Sequence, residues 1–211
     1  MSNLQKRILT SLVIFPLSFF FIVKGGYFLA FFLIFVLFAG MHELLSVFKK
    51  RSIILFLGLI LILSLFSIYY LKTNNIVSTT LLYLAITICI SSDIGGYVFG
   101  KIFKWKKFTI ISPKKTISGV FGSFFFSLIG LIIFSEIFYP GRNVSIKYFL
   151  LTMLFSMVAQ AGDLTISYFK RLEKIKDRGK IFPGHGGIFD RIDGLVFVVI
   201  LTFVLFYINH F

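Results

Sequence analysis

Seven long stretches without Asp, Glu, Lys or Arg constrain the fold of this chain more than any other feature. They are Ile8–Val23, Gly25–Met41, Ser52–Leu71, Thr73–Ser92, Ile117–Ser135, Tyr148–Gly162 and Gly194–Asn209. About 20 helical residues cross the hydrocarbon core of a bilayer, and the sixth stretch reaches that length only if its helix continues past Asp163 to Phe169. None of the stretches has the period-two alternation of a membrane barrel strand. The sequence therefore predicts an all-α, polytopic helical membrane protein with about seven transmembrane helices.

The composition supports this class and excludes others. Of the 211 residues, 58% are hydrophobic and only 14% are charged, and the mean hydropathy is +0.97. A soluble domain of this composition would expose a large apolar area to water, and a disordered chain would be poor in aromatic residues. The single cysteine, Cys89, excludes an internal disulfide. We expect one membrane-embedded domain over residues 1–211, with a first span that is retained because no small-residue cleavage site follows it.

The positive charges are divided unevenly between alternate connections. Of the 22 Lys and Arg residues, 18 fall at the N-terminus and in the second, fourth and sixth connections. The other four are Lys24, Lys72, Arg142 and Lys147. Because cytoplasmic loops are enriched in Lys and Arg, this pattern predicts a cytoplasmic N-terminus and a C-terminus outside. The net charge of +14 thus indicates membrane topology rather than a nucleic-acid partner.

The eight acidic residues are few enough to be considered one by one. Five are predicted in the cytoplasmic half: Asp93, Asp163, Asp177, Asp190 and Asp193. Asp93 and Asp163 end long uncharged stretches, where a carboxylate costs about 2.5–3.5 kcal/mol and by default indicates a functional site. For Asp93 an equal alternative is a helix terminator followed by two glycine stops, Gly95 and Gly96. The remaining acids are expected to be solvated at helix ends or on the surface, and they are Glu43, Glu136 and Glu173.

Two spacings place polar side chains on common helix faces. Ser167 and Lys170 follow Asp163 by four and seven residues, so all three fall within about 40° on one helix face. Asp190 and Asp193 are three residues apart at the start of the last span, so both can face one point. Alternatively, those two acids simply stabilise a helix N-terminus.

The segment from Lys176 to Asp193 combines acids, bases and glycines more densely than a plain connection requires. Its Pro183–Gly187 portion cannot be regular helix, and its glycines expose backbone N–H groups to an approaching phosphate. His185 could equally brace a turn. Carboxylates mixed with Lys and Arg at a membrane interface fit a metal–polyphosphate site, since Mg²⁺ takes one or two carboxylates and completes its shell with water and phosphate. A phosphate monoester is already anionic at neutral pH, so such a reaction needs no general base.

Four motifs resemble those of one enzyme family. The longest reads Ser167-Tyr-Phe-Lys170-Arg171, then after four residues Lys176-Asp177-Arg-Gly179, then Phe182-Pro183-Gly-His185-Gly186-Gly187-Ile-Phe-Asp190-Arg191-Ile-Asp193. The others read Ser92-Asp93-Ile-Gly-Gly-Tyr97-Val-Phe-Gly100, Ser112-Pro113-Lys114-Lys115-Thr116-Ile-Ser-Gly119 and Gly162-Asp163-Leu164. Together they are similar to the phosphatidate cytidylyltransferase (CDP-diacylglycerol synthase) family. The resemblance makes residues 93–193 the catalytic region, whereas residues 1–92 resemble the family only in being membrane spans.

The resemblance implies that CTP and phosphatidic acid react to CDP-diacylglycerol and pyrophosphate at the cytoplasmic face of a bacterial inner membrane. It implies Mg²⁺, leaves a second cation open, and suggests a homodimer. Asp163, Asp190 and Asp193 would be catalytic metal ligands, joined by Ser167. Phosphates would be held by Lys170, which also counts as catalytic, and by Arg171, Lys176 and Arg191. Further substrate contacts would come from Lys114, Lys115 and Thr116, from His185, Gly186 and Gly187 around the pyrophosphate, and from Asp93 and Asp177.

Two residues and the length of the chain depart from the family pattern. Ile166 stands where an acid usually precedes the signature serine, and Ser118 stands where Glu commonly follows Lys-Lys-Thr. The chain is shorter than typical members, and we attribute this to a reduced N-terminal half.

A transporter is one rival, but it predicts interrupted spans in two halves and acids in mid-membrane, whereas the acids of this chain fall at one rim of the membrane. A CTP-dependent polyprenol kinase is another, and it would release CDP rather than pyrophosphate.

Overall fold

The computed structural model describes residues 16–109, 111–112, 115–173 and 187–209, with Asp190 described by its backbone alone. In these ranges the chain forms α1 over residues 16–24, α2 Gly26–Val47, α3 Arg51–Asn74, α4 Ile76–Phe103, α5 Ile117–Phe138, α6 Ile146–Leu172 and α7 Phe189–Asn209. The six helices from α2 to α7 are long and apolar enough to cross a membrane. This confirms the predicted all-α membrane class. Only the second half of the first predicted span, Ile8–Val23, is described, and it lies in α1.

These segments are helical because their composition suits them to the hydrocarbon core of a membrane. Hydrocarbon offers no hydrogen bonds, so a spanning segment must satisfy its own N–H and C=O groups. Large apolar side chains also cover the outside of the bundle, and Phe31, Phe38 and Ile137 are each about 70% exposed. A surface of this kind fits lipid and would be unfavourable in water.

The bundle has two apolar cores, and α7 contributes to both. Val198 and Val199 pack in a core with residues of α4, α5 and α6. Phe189, at the beginning of α7, packs in a second core with residues of α2, α3 and α6. The start of α7 is therefore fixed by packing against the N-terminal helices.

Helix α4 is longer than predicted. It continues through Asp93, Gly95 and Gly96 to Phe103, so the interpretation of Asp93 as a helix terminator with glycine stops is wrong. The glycines serve packing instead, because a Cβ on Gly95 would collide with the carbonyl oxygen of Gly122 on α5. Small residues allow membrane helices to approach closely. Helix α6 continues past Asp163 to Leu172, as the length argument predicted.

Glu173 joins the ends of α3 and α6, where we expected only a charged surface residue. Its two carboxylate oxygens accept hydrogen bonds of 2.6 Å from the backbone N–H groups of Lys49 and Lys50, just before α3 begins. Partial loss of hydration works to raise the pKa of the Glu173 carboxyl, but these hydrogen bonds and the positive charges of Lys50 and Lys49 lower it overall. Glu136 is exposed at the other end of the bundle, as predicted.

The prediction that Glu43 is a solvated residue at a helix end is wrong. Its side chain is only 5% exposed. It accepts hydrogen bonds from the backbone N–H groups of Ile188 at 2.5 Å and Phe189 at 3.4 Å, where α7 begins. Glu43 and Glu173 thus gather the ends of four helices at one end of the bundle.

Candidate functional site

At that end of the bundle, a cavity of about 270 Å³ lies between α4, α5 and α6. Helices α4 and α6 contribute Ser92, Asp93, Gly96, Tyr97, Gln160 and Asp163, and the start of α5 with its preceding connection contributes Ser112, Lys115, Thr116, Gly119, Val120 and Ser123. Residues from three of the four family-like motifs therefore meet around one space, although they are far apart in the sequence.

An ion pair between Lys115 and Asp163 lies at the wall of this cavity. The Lys115 Nζ atom is 2.5 Å from the Asp163 Oδ2 atom, and the two side chains are 24% and 35% exposed. Lys115 also donates to the backbone oxygen of Gln160, at 3.3 Å. The pair ties the connection before α5 to α6, so a predicted phosphate ligand and a predicted metal ligand are already neighbours.

Asp163 is also the centre of an acidic group. The carboxyl group of Asp193 on α7 lies close enough to interact with Asp163 and, more weakly, with Asp93 on α4. Ser167 donates a hydrogen bond of 3.4 Å to Asp163 Oδ1, which confirms that these two residues share a face of α6. Asp193 Oδ1 accepts a hydrogen bond from the N–H of Gly194.

These oxygen donors fit a magnesium ion. Within the described ranges, no three His, Cys, Asp or Glu side chains are grouped as a complete metal site. Mg²⁺ does not need such a group, since it usually takes one or two carboxylates and fills its other positions with water and substrate phosphate. Asp163, Asp193 and the Ser167 hydroxyl supply this kind of donor set, and a cation would relieve the repulsion between the two carboxylates.

Hydroxyl groups fix the walls of the cavity. Thr116 accepts a hydrogen bond of 3.1 Å from the N–H of Gly119 and so caps α5. Ser123 donates to the backbone oxygen of Ser92 at 2.8 Å, and the Ser92 and Ser156 hydroxyls share a hydrogen bond of 3.1 Å. Ser92 was named only as part of a family-like motif, and sequence reasoning missed Ser123 and Ser156, although hydroxyl residues recurring within apolar stretches were a usable signal.

Gln160 is a further cavity residue that the sequence analysis missed. It precedes Asp163 by three residues on α6, and its side chain donates to Ser156. Inspection of the residue three positions before each acid predicted at membrane depth would have identified Gln160.

The other predicted site residues are only partly described. Arg171 donates through Nε to the backbone oxygen of Ile111 at 3.3 Å, so it holds the connection before α5 against the end of α6. Lys170 lies on α6 and Arg191 on α7, and Gly187 is packed beside Glu43. Outside the described residues or side chains lie Lys114, Lys176, Asp177, His185, Gly186 and the side chain of Asp190.

Neither of the two residues that depart from the family pattern lines the cavity itself. Ile166 is 2% exposed and belongs to the apolar core shared with α2 and α3. Ser118 is also 2% exposed, and its hydroxyl is 3.0 Å from that of Thr116. In this chain both positions therefore serve the packing beneath the site.

Comparison with known proteins agrees with these motifs. The model of the cytidylyltransferase family matches residues 49–209, which is more than half of the chain. A phosphatidate cytidylyltransferase of Staphylococcus haemolyticus is 44% identical over 116 residues, which are 54% of this chain and 44% of that protein. Proteins of the same name from Staphylococcus aureus strain COL and Staphylococcus epidermidis strain ATCC 12228 are 42% and 41% identical, with the same coverage. The match thus spans less than half the length of these relatives. Because the family model covers most of the chain, the protein belongs to the cytidylyltransferase family.

Proposed function

We propose that this protein transfers the cytidylyl group of CTP to phosphatidic acid, giving CDP-diacylglycerol and pyrophosphate for phospholipid synthesis. A phosphate oxygen of the lipid would attack the α-phosphorus of CTP, and the bond from that phosphorus to the bridging oxygen would break as pyrophosphate leaves. The observation that carries the proposal is the Lys115–Asp163 pair in a cavity where three motif segments meet. The relatives named phosphatidate cytidylyltransferase support the same reaction.

The acidic side of the cavity suits a magnesium cofactor. Asp163 and Asp193 would hold it, with the Ser167 hydroxyl as a further donor and Asp190 as the remaining predicted ligand. A Mg²⁺ ion bound there would supply Lewis-acid chemistry, which would align the phosphates and withdraw charge from them.

The basic and hydroxyl groups would position the two anionic substrates. Lys115 can exchange its contact with Asp163 for a substrate phosphate, because a lysine ammonium is a mobile point charge on a flexible stem. The Thr116 hydroxyl lines the same space at the N-terminus of α5, where the helix dipole favours an anion. Arg171, Lys170 and Arg191 would add positive charge at the membrane surface. The phosphate monoester of the lipid is the nucleophile, so no side chain needs to remove a proton.

We place the reaction at the cytoplasmic face of a bacterial inner membrane, because CTP is available there and because the described basic residues of the second and fourth connections lie at this end of the bundle. A homodimer is part of the same family-based proposal.

The orientation of the protein in the membrane can be tested with single introduced cysteines, since the native Cys89 is buried. In intact cells, Asn143→Cys should react with a membrane-impermeant maleimide and Lys106→Cys should react only after lysis. The reverse pattern would overturn the orientation.

The activity itself is tested with purified protein, Mg²⁺, phosphatidic acid and CTP. CTP labelled at the α-phosphate should transfer its label to lipid, with one pyrophosphate released for each CDP-lipid formed. CTP labelled at the γ-phosphate should transfer none. Lipid labelled only from γ-labelled CTP would indicate a kinase instead. The absence of labelled lipid with both α-labelled and γ-labelled CTP would refute the proposed reaction.

A further inference from the structure

A buried carboxylate outside the family-matched region holds the start of α7. Glu43 lies on α2, before the region that matches the family at residues 49–209. Its side chain accepts hydrogen bonds from the N–H groups of Ile188 and Phe189, and these two residues are 5% and 2% exposed. The first backbone donors of a helix have no partner within the helix. A negative charge at this position also interacts favourably with the helix dipole.

The Glu43 carboxylate is closely surrounded where α7 begins. A Cβ atom added to Gly187 would collide with the Glu43 carboxyl group. The Phe189 ring lies against Gly40, one turn before Glu43 on α2, where a Cβ atom would be 3.5 Å from Phe189 Cε2. The first turn of α7 therefore packs directly against α2 at Gly40 and Glu43.

That start determines where Asp193 points. Asp193 follows Phe189 by four residues, about one helical turn, and its carboxyl group lies beside Asp163. Buried hydrogen bonds to a charged group are strong and direction-dependent. A shift or fraying of the first turn of α7 would move Asp193 relative to Asp163 without changing either residue.

We propose that Glu43 is a positioning residue of the active site: through the backbone of Ile188 and Phe189, it sets the distance between Asp193 and Asp163. The inference rests on the proposed function, in which those two carboxylates bind the metal. It adds to the site a residue from the N-terminal helices, which the family resemblance left as plain membrane spans.

The test combines hydrogen exchange with kinetics on the full chain in lipid nanodiscs. In Glu43→Ala, exchange of the amides in peptides covering residues 187–193 should become roughly 10- to 100-fold faster, because the charged acceptor is lost. Turnover should fall by about 10- to 100-fold, as is typical when a group that orients a metal ligand is removed. The Mg²⁺ concentration for half-maximal rate should rise, while KM for CTP should change much less. Glu43→Gln keeps a side-chain carbonyl acceptor and should show a smaller change in all three quantities.

The matched controls are Glu136→Ala and Glu136→Gln, which alter an exposed carboxylate at the opposite end of the bundle and should change neither exchange nor kinetics. Unchanged exchange in both Glu43 variants would overturn the inference, as would faster exchange with wild-type turnover and Mg²⁺ dependence. If Glu43→Ala does not fold, Glu43→Gln decides between the same outcomes. Failure of the proposed function is seen separately, as a wild-type protein that forms no CDP-lipid.

Discussion

The substitution Asp163→Asn should lower turnover by about 1,000-fold, because charge stabilisation of several kcal/mol is lost and each 1.4 kcal/mol is a factor of ten. The Asn side chain removes the negative charge that Lys115 contacts at 2.5 Å and that Asp193 adjoins on α7. Membrane insertion should be preserved, since a neutral amide is less costly than a carboxylate at membrane depth. The measurement is kcat with α-labelled CTP, together with the amount of protein in the membrane fraction.

The control for this prediction is Glu136→Gln, the same type of change in an exposed residue of α5. It should leave both turnover and membrane abundance at wild-type values. Turnover of Asp163→Asn close to that of the wild type would remove Asp163 from the reaction. A loss of membrane-inserted protein in that variant would instead assign the residue to folding.

The membrane class and the approximate helices could be predicted because they depend on local sequence. In hydrocarbon a spanning segment forms a helix or a strand of a closed barrel, and these stretches lack the alternation of barrel strands. The continuation of α6 past Asp163 also followed from a length that the bilayer sets. The same spacing argument correctly placed Ser167 beside Asp163 on one helix face.

The contacts that complete the site could not be predicted because they join distant parts of the chain. Glu43 and Ile188 are 145 residues apart, and a single acid near a helix end gives no sign of a buried partner. Asp93 was ambiguous for a related reason. Glycine lowers helix propensity by about 1 kcal/mol in isolation, but close packing against α5 compensates for this in the folded protein, and a single sequence does not show that neighbour.

The packing of α4 against α5 gives the second large prediction, for Gly95→Ala. A Cβ atom at this position would collide with the carbonyl oxygen of Gly122 and lie 2.6 Å from Phe126 Cβ. The first of these is backbone and cannot rotate away, so the two helices must separate. Overpacking of this kind typically costs about 1–3 kcal/mol, which should lower the unfolding temperature by several degrees.

The same substitution should also reduce turnover, because Gly95 lies between two cavity residues of α4, Asp93 and Gly96, and faces the helix that begins beside Thr116. Gly58→Ala is the matched control: it makes the same change in α3, where the new Cβ atom would meet only the flexible Met41 side chain at 3.4 Å. Since Ala favours helix more than Gly does, the control should be as stable as the wild type or slightly more stable. Equal unfolding temperatures and turnover for the two variants would show that close approach of α4 and α5 does not shape the cavity. A loss confined to Gly95→Ala would show that the distance between these helices, as well as the side chains on them, determines whether the carboxylates and Lys115 meet.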